Sequence, residues 1–262
     1  NYLPFTPLLQ PNFYSDQSAI MQELEKFRNN ANLTPAQKTL FLPERTPEEL
    51  YDVENDPYEV NNLAGNPEYQ EVLQEMRAKL QQEVLRTYDT GFMPEPEMNR
   101  LSKKQTPYEL ARNQEVFPLP DILSACNLML EKEPDTEHIL ELMEHPNGFV
   151  RFWTVISIES LSFFEPEIVN RLRQMLDDDF ATVQIEAAKT LIKTGNTDAV
   201  STVLEYMQGE NEQFLLYATR AFELTWHLLP EIPEEFYQVY EKLKKQTKGK
   251  WQGHDLYAFW SM

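Results

Sequence analysis

From Pro120 to about Gln246 apolar positions recur at intervals of three and four, the spacing of one buried helix face. Three stretches in this half line up. They begin at Val150 (Val-Arg-Phe-Trp-Thr-Val-Ile-Ser-Ile), at Val183 (Val-Gln-Ile-Glu-Ala-Ala-Lys-Thr-Leu) and at Phe214 (Phe-Leu-Leu-Tyr-Ala-Thr-Arg-Ala-Phe), 33 and 31 residues apart. An apolar helical stretch precedes each one, ending at Met143, Leu176 or Met207, seven residues earlier. Turn residues lie between: His145-Pro146-Asn147-Gly148, Asp177-Asp178-Asp179 and Gln208-Gly209-Glu210. The pattern predicts a unit of helix, short turn and helix, used three times. Gly195 and Asn196 close the second unit as a helix C-terminal stop.

The first 120 residues carry a different pattern. Residues 1 to 18 mix aromatics with Pro4, Pro7 and Pro11, which excludes a helix or central strand and fits an edge strand running into an ordered loop. Ser18 to Phe27 reads as a helix through Ile20, Met21, Leu24 and Phe27. Thr34-Pro35-Ala36-Gln37 has the layout of a capping box. In Glu49-Leu-Tyr-Asp-Val-Glu-Asn-Asp-Pro-Tyr-Glu-Val-Asn-Asn-Leu-Ala64, the alternation of Leu50, Tyr51 and Val53 predicts a short strand ending at an Asn55-Asp56-Pro57 turn. Asn66-Pro67-Glu68 opens a helix of about twenty residues with Tyr69, Val72, Leu73, Met76 and Leu80 on its apolar face. Pro94, Pro96, Pro107, Pro118 and Pro120 predict a surface linker with one helical turn at Pro107 to Ala111. The expected fold class is therefore a small antiparallel α+β subdomain with a long packing helix (1–98), a Pro-rich linker (99–120) and an all-α repeat domain (121–262), helical overall.

Composition narrows the function classes. The chain has 262 residues and a formal net charge of −20 at pH 7, spread along its length. Such a chain does not bind nucleic acid through a basic stripe. The one basic cluster, Lys242 to Lys250, reads as the C-terminal half of a helix, where cations complement the macrodipole. Apolar runs are far shorter than the ~20 residues that span a bilayer. The single cysteine, Cys126, lies in an apolar helical run and reads as a buried thiol. His138, His145, His227 and His254 complete no metal set, and Asp177-Asp178-Asp179 lacks the spacing and glycine of a calcium loop. With seven glycines there is no phosphate-cradling loop. The aromatics Trp251, Tyr257, Phe259 and Trp260 of the tail are expected to pack back onto the array as a cap.

The repeated helix pairs resemble a HEAT-like array, with Val183, Ala187, Ala188 and Leu191 as the best-matching unit. An irregular helical bundle is the alternative. Upstream, Glu49-Leu50-Tyr51-Asp52, Asp56-Pro57-Tyr58-Glu59 and Asn61-Asn62-Leu63-Ala64 resemble the C-terminal end of the sulfatase family. With the segment from Asn1 to Tyr14 and Tyr88-Asp89-Thr90, the resemblance is to the heparan N-sulfatase (sulfamidase-like) branch and covers about residues 1 to 98. It implies hydrolysis of sulfate esters or sulfamates by a formylglycine, made from the Cys or Ser of a Cys/Ser-x-Pro/Ala-x-Arg motif beside a bound Ca²⁺. Cys126 is followed by Asn127, Leu128, Met129 and Leu130, so that motif is not here.

The resemblance implies that this chain holds no cofactor. Ca²⁺ and the nucleophile belong to an N-terminal catalytic domain of the same parent chain, which is the expected partner. The substrate implied is a sulfated glycan, and the location periplasmic or secreted. The first residues read as the interior of a larger protein, with signal cleavage as the alternative. Tyr2, Phe5, Phe13, Tyr14 and Asp16 form an aromatic loop that either borders a substrate cleft or packs against the catalytic domain. No catalytic residue is expected. The competing reading is a scaffold protein that carries a sulfatase-like tail and never had a catalytic domain.

Overall fold

The computed structural model describes residues 1–9, 13–28 and 32–247. The expected tail cap (Trp251 to Trp260), His254 and the end of the basic cluster lie outside the described residues. The elements in chain order are helical: α1 (Phe13–Asp16), α2 (Ala19–Phe27), α3 (Pro35–Thr39), α4 (Gln70–Thr87), α5 (Glu95–Leu101), α6 (Pro107–Arg112), α7 (Leu119–Asn127), α8 (Thr136–Met143), α9 (Gly148–Leu161), α10 (Pro166–Gln174), α11 (Ala181–Lys193), α12 (Val200–Gln208), α13 (Glu212–Glu223) and α14 (Glu234–Thr247), with short 3₁₀ turns between several of them. They form two compact units. The first combines Asn1–Gln10 with Ser18–Asp89, and the second combines Pro11–Gln17 with the chain from Thr90 onward.

The first unit corrects the α+β expectation, because no strand or sheet occurs among the described residues. The residues around Leu50 are extended but have no ladder. The Leu50 N–H donates to Asn62 Oδ1 at 2.9 Å, and the Leu50 carbonyl accepts from Leu63 N at 2.8 Å. Asn62 Nδ2 donates to Thr46 Oγ1 and to the Glu48 carbonyl, both at 3.1 Å. One side chain thus satisfies the backbone that a partner strand would have satisfied. The edge strand expected in residues 1 to 18 is likewise absent among the described residues, where turns before residue 10 and the short α1 stand instead. Asn1 and Pro4 are tied to residues 45–49 through the terminal ammonium to the Pro47 carbonyl (2.7 Å) and Arg45 N to the Pro4 carbonyl (2.7 Å). The caps follow the sequence. Ser18 starts α2, Thr34 and Gln37 form a reciprocal box on α3, and Asn66 accepts from Glu68 N ahead of α4. Arg77 of α4 makes two 2.6 Å hydrogen bonds to the Glu48 carboxylate and anchors the helix to this loop.

The second unit holds three antiparallel pairs, α8–α9, α10–α11 and α12–α13, with the later helix of each pair in the middle of the stack. The aligned Val150, Val183 and Phe214 are all buried. α7 packs on α9, α9 on α11, and α11 on α13. Ala187 and Ala188 are fully buried and let the neighbouring backbones approach. After α11, Gly195 takes φ +86°, its N–H donates to the Ile192 carbonyl and Asn196 N to the Leu191 carbonyl, so the predicted stop is a Schellman motif.

The stretch expected as a surface linker is instead part of this unit. Phe92, Met93, Pro96, Glu97, Leu110, Ala111 and Phe117 are buried. Pro96, Pro107 and Pro120 sit in the first turns of α5, α6 and α7, where a missing N–H costs nothing. Proline here begins helices.

Candidate functional site

The aromatic loop divides between the two units. Tyr2 and Phe5 belong to the first, where Phe5 is buried and Tyr2 half-buried. Phe13, Tyr14 and Asp16 lie in the four-residue helix α1 of the segment assigned to the second, and Asp16 is half-buried. Within the family-like loop, Asp52 Oδ1 accepts from Glu54 N and Asn55 N, and Oδ2 from Asn55 Nδ2 at 2.7 Å. These bonds, the Asn55 side chain first, hold the Asp52 carboxyl below its ordinary value. Asp56 Oδ2 accepts from Asn61 N at 2.8 Å. Both acids are turn residues.

The inner helices of the array carry an unexpected cluster of charge. Lys189 on α11 is 2% exposed and pairs with Glu186 on its own helix and with Glu159 of α9 at 3.1 Å. Lys193 reaches Glu159 at 2.6 Å, Thr190 Oγ1 donates to Glu159 at 3.2 Å, and Tyr217 Oη of α13 donates to Glu186 at 2.6 Å. Three successive repeats are thereby joined through two carboxylates and two ammonium groups. Burial alone would raise the Glu159 carboxyl, but Lys189 and Lys193 hold it below its ordinary value. Burial would lower Lys189, yet Glu159 and Glu186 hold it above its own. Burial pushes the Tyr217 hydroxyl and the Cys126 thiol well up, so Cys126 is inert at neutral pH.

A second ionic feature ties the turns together. Arg151 of α9 makes two 2.7 Å bonds to Asp178, one of 2.5 Å to Asp179, and donates to the His145 and Pro146 carbonyls. The Asp-rich turn is thus the partner of a buried arginine. Beside it lies an open cleft of about 270 Å³ lined by Glu115, Asp121, His145 and Asn147 among others. His145 Nδ1 accepts from Asn147 N at 3.1 Å and its Nε2 is 4.0 Å from Asp121. His138 is on α8, half exposed, near Glu141. Among the described residues no group of three or more His, Cys, Asp or Glu is placed to hold a metal ion.

The segment before the array lies across its inner helices. The Phe92 carbonyl accepts from Trp153 Nε1 at 2.8 Å, and the two rings are 5.5 Å apart. Glu97 is fully buried; its Oε2 accepts a 2.6 Å bond from Arg100, and its Oε1 is buried without a hydrogen-bond partner. Arg100 lies over the Phe180 ring at 5.7 Å, and Asn99 Nδ2 donates to Gln213 of α13 at 3.2 Å. Sequence reasoning missed Glu97 and Lys189. The aligned helix-start positions are Asn147, Phe180 and Asn211, so the middle repeat lacks the capping residue its neighbours have.

Comparison with known proteins agrees with parts of this geometry. The family model for HEAT repeats matches residues 136–222, which run from the start of α8 to the end of α13. An ulvan-active sulfatase from Formosa agariphila is 36% identical over 98 residues, which is 37% of this chain and 16% of that protein. The chain thus spans about a sixth of the length of the relative it matches. No solved structure matches. Residues 136–222 are HEAT-like helical repeats, and a 98-residue stretch of the chain is similar to part of a sulfatase.

Proposed function

We propose that this chain is the C-terminal, non-catalytic portion of a sulfatase-like hydrolase whose full parent cleaves sulfate esters or sulfamates on a sulfated sugar. The observation that carries the reading is the 98-residue match to a sulfatase. The surface of the first unit supports it. Ile20 of α2 is 74% exposed, and Val72, Met76 and Leu80 of α4 form an i, i+4, i+8 stripe, each about half exposed. Exposed apolar stripes of this kind seat on a partner, here a catalytic domain that supplies the formylglycine and Ca²⁺. The parent's location would be periplasmic or secreted.

The array serves this reading as a protein-interaction module. It is not the holder of the sulfated glycan. Every Lys and Arg between residues 136 and 222 is engaged by the chain's own acceptors: Arg151 by Asp178, Arg171 by Gln174 and the Met143 carbonyl, Arg173 by Asn170 and Asn196, Lys189 and Lys193 by Glu159, and Arg220 by Glu223. A polyanion needs available cations, and the net charge of −20 repels it within a Debye length of about 8 Å.

The test is sulfate release from a sulfated polysaccharide, with Ca²⁺, by the longest gene product that contains this chain and by the chain alone. Release by the former and none by the latter is expected. Turnover by the chain alone sinks the non-catalytic assignment. An inactive gene product lacking a Cys/Ser-x-Pro/Ala-x-Arg motif favours a scaffold protein instead.

A further inference from the structure

We propose that the open cleft between the α6–α7 loop and the α8–α9 turn binds one uncharged, hydroxyl-bearing unit, an unsulfated sugar ring, through His145 and Asp121. The cleft has a volume of about 270 Å³. Pockets for drug-sized ligands run to roughly 300–1,000 Å³, so this one suits a single ring.

Its walls are fixed before any ligand arrives. Asn147 Nδ2 donates to the Val116 carbonyl at 2.9 Å and ties the turn to the loop. The buried Arg151 donates to the His145 carbonyl at 2.7 Å and to the Pro146 carbonyl at 3.1 Å. A site held in this way gives up little freedom when it binds.

The chemistry of the occupant follows from one imidazole. The Asn147 N–H donates to His145 Nδ1 at 3.1 Å, which places the proton of the neutral ring on Nε2. That donor stands 4.0 Å from an acceptor, Asp121 Oδ2. The gap is too long for a direct hydrogen bond. An oxygen about 2.8 Å from both atoms closes it, with an angle of about 90° at that oxygen. Such an atom must accept from the imidazole and donate to the carboxylate at once. A hydroxyl does both. An ammonium or guanidinium group has no lone pair to offer, and a sulfate oxygen has no proton.

A water molecule could make the same two bonds, but the rest of the lining suits a larger ligand. Pro118 and Pro146 add apolar surface for the C–H face of a ring, and Gln114 and Glu115 offer polar groups to neighbouring hydroxyls. Among the described residues no Lys or Arg lines the cleft, and its two carboxylates repel a sulfated unit. This site does not rest on the sulfatase reading.

Cellobiose titrated into the whole chain, followed by NMR at the His145 ring and the Asn147 amide, tests the site. Saturable shifts with a dissociation constant on the order of 1 mM are expected from so few contacts. The Asp121 side chain is 57% exposed, so substitutions there leave the fold alone. Asp121→Ala removes the acceptor and should weaken binding about tenfold or more, whereas Asp121→Asn keeps an oxygen and should retain most of it. Butylammonium and a monosulfated glucose should give no saturable shift. Absence of a saturable cellobiose response, or equal affinity in Asp121→Ala and wild type, overturns the proposal. So does a response to butylammonium in place of cellobiose, the mark of a cation site, or equal binding of the sulfated glucose.

Discussion

Lys189 shows how one side chain can decide the stability of a repeat. Its ammonium sits out of water against Glu159 and Glu186, of which Glu159 also pairs with Lys193 at 2.6 Å. Lys189→Met therefore leaves buried charge uncompensated and should cost about 3–5 kcal/mol, read from denaturant unfolding of the array. The pH dependence has a definite sign. Glu159 has a folded pKa below its unfolded value, so its contribution is complete above the ordinary carboxylate range and fades as pH falls through the folded value. Lys189 has a folded pKa above its unfolded value, so its contribution holds below the ordinary lysine range and fades as pH rises through the folded value. The wild-type advantage over Lys189→Met should shrink on acidification, where the variant's stranded carboxylates take up protons. A difference that grows in acid would show that Glu159 and Glu186 are not the groups that Lys189 serves. Gly148 makes the complementary steric point. Gly148→Ala drives a methyl into the Phe180 ring, itself held between Phe149 and Arg100, and should cost about 1–3 kcal/mol through overpacking.

At the scale of elements, the outer and inner helices of the array were legible because each must bury one face. The 33- and 31-residue spacings follow from stacking equal units. Two other expectations failed for reasons a linear pattern does not carry. Leu50, Tyr51 and Val53 alternate as a strand would, but the acceptor for the Leu50 N–H is the side chain of Asn62, and no strand occurs among the described residues. Pro94 to Pro120 read as breakers, yet Pro96, Pro107 and Pro120 stand in first helical turns, and Glu97 becomes visible only when α5 is docked. The five residues of the predicted loop site are divided between the two units. Helix ends supply a further test. Ser162 after α9 adopts φ +51°, a conformation that costs a side chain about 1–2 kcal/mol and that glycine takes freely. Ser162→Gly should raise the melting temperature of the array by a few degrees. No change would mean that Ser162 is held there by contacts that glycine forfeits.

Over the whole molecule the two units differ in how they are held together. The second buries long runs of apolar side chains in every inner helix, as in α9, where Phe149, Val150, Val155, Ile156 and Ile158 are all at or near zero exposure. In the first unit the buried apolar side chains among the described residues are Pro4, Phe5, Leu50, Leu73 and Val84, while α2 has none. Leu3, Leu8, Ile20, Leu42, Val53, Tyr58 and the α4 stripe stay in contact with water. Its order rests more on local devices, such as the Asn62 bridge, the Thr34 box and the Arg77–Glu48 fork, than on a core. Local devices open without unfolding anything else, so this unit should show low-cost sub-global opening. Brief digestion with a broad-specificity protease should therefore cut first within residues 18–89, leaving a stable product that begins near Thr90 and retains the array. Intact mass at early times distinguishes the outcomes: first cuts inside 136–222 would mean that the buried ionic cluster weakens the array more than its apolar core holds it. Replacing Val72, Met76 and Leu80 together by Lys should reduce binding of a hydrophobic dye without shifting the array's unfolding, because these side chains are already about half in water.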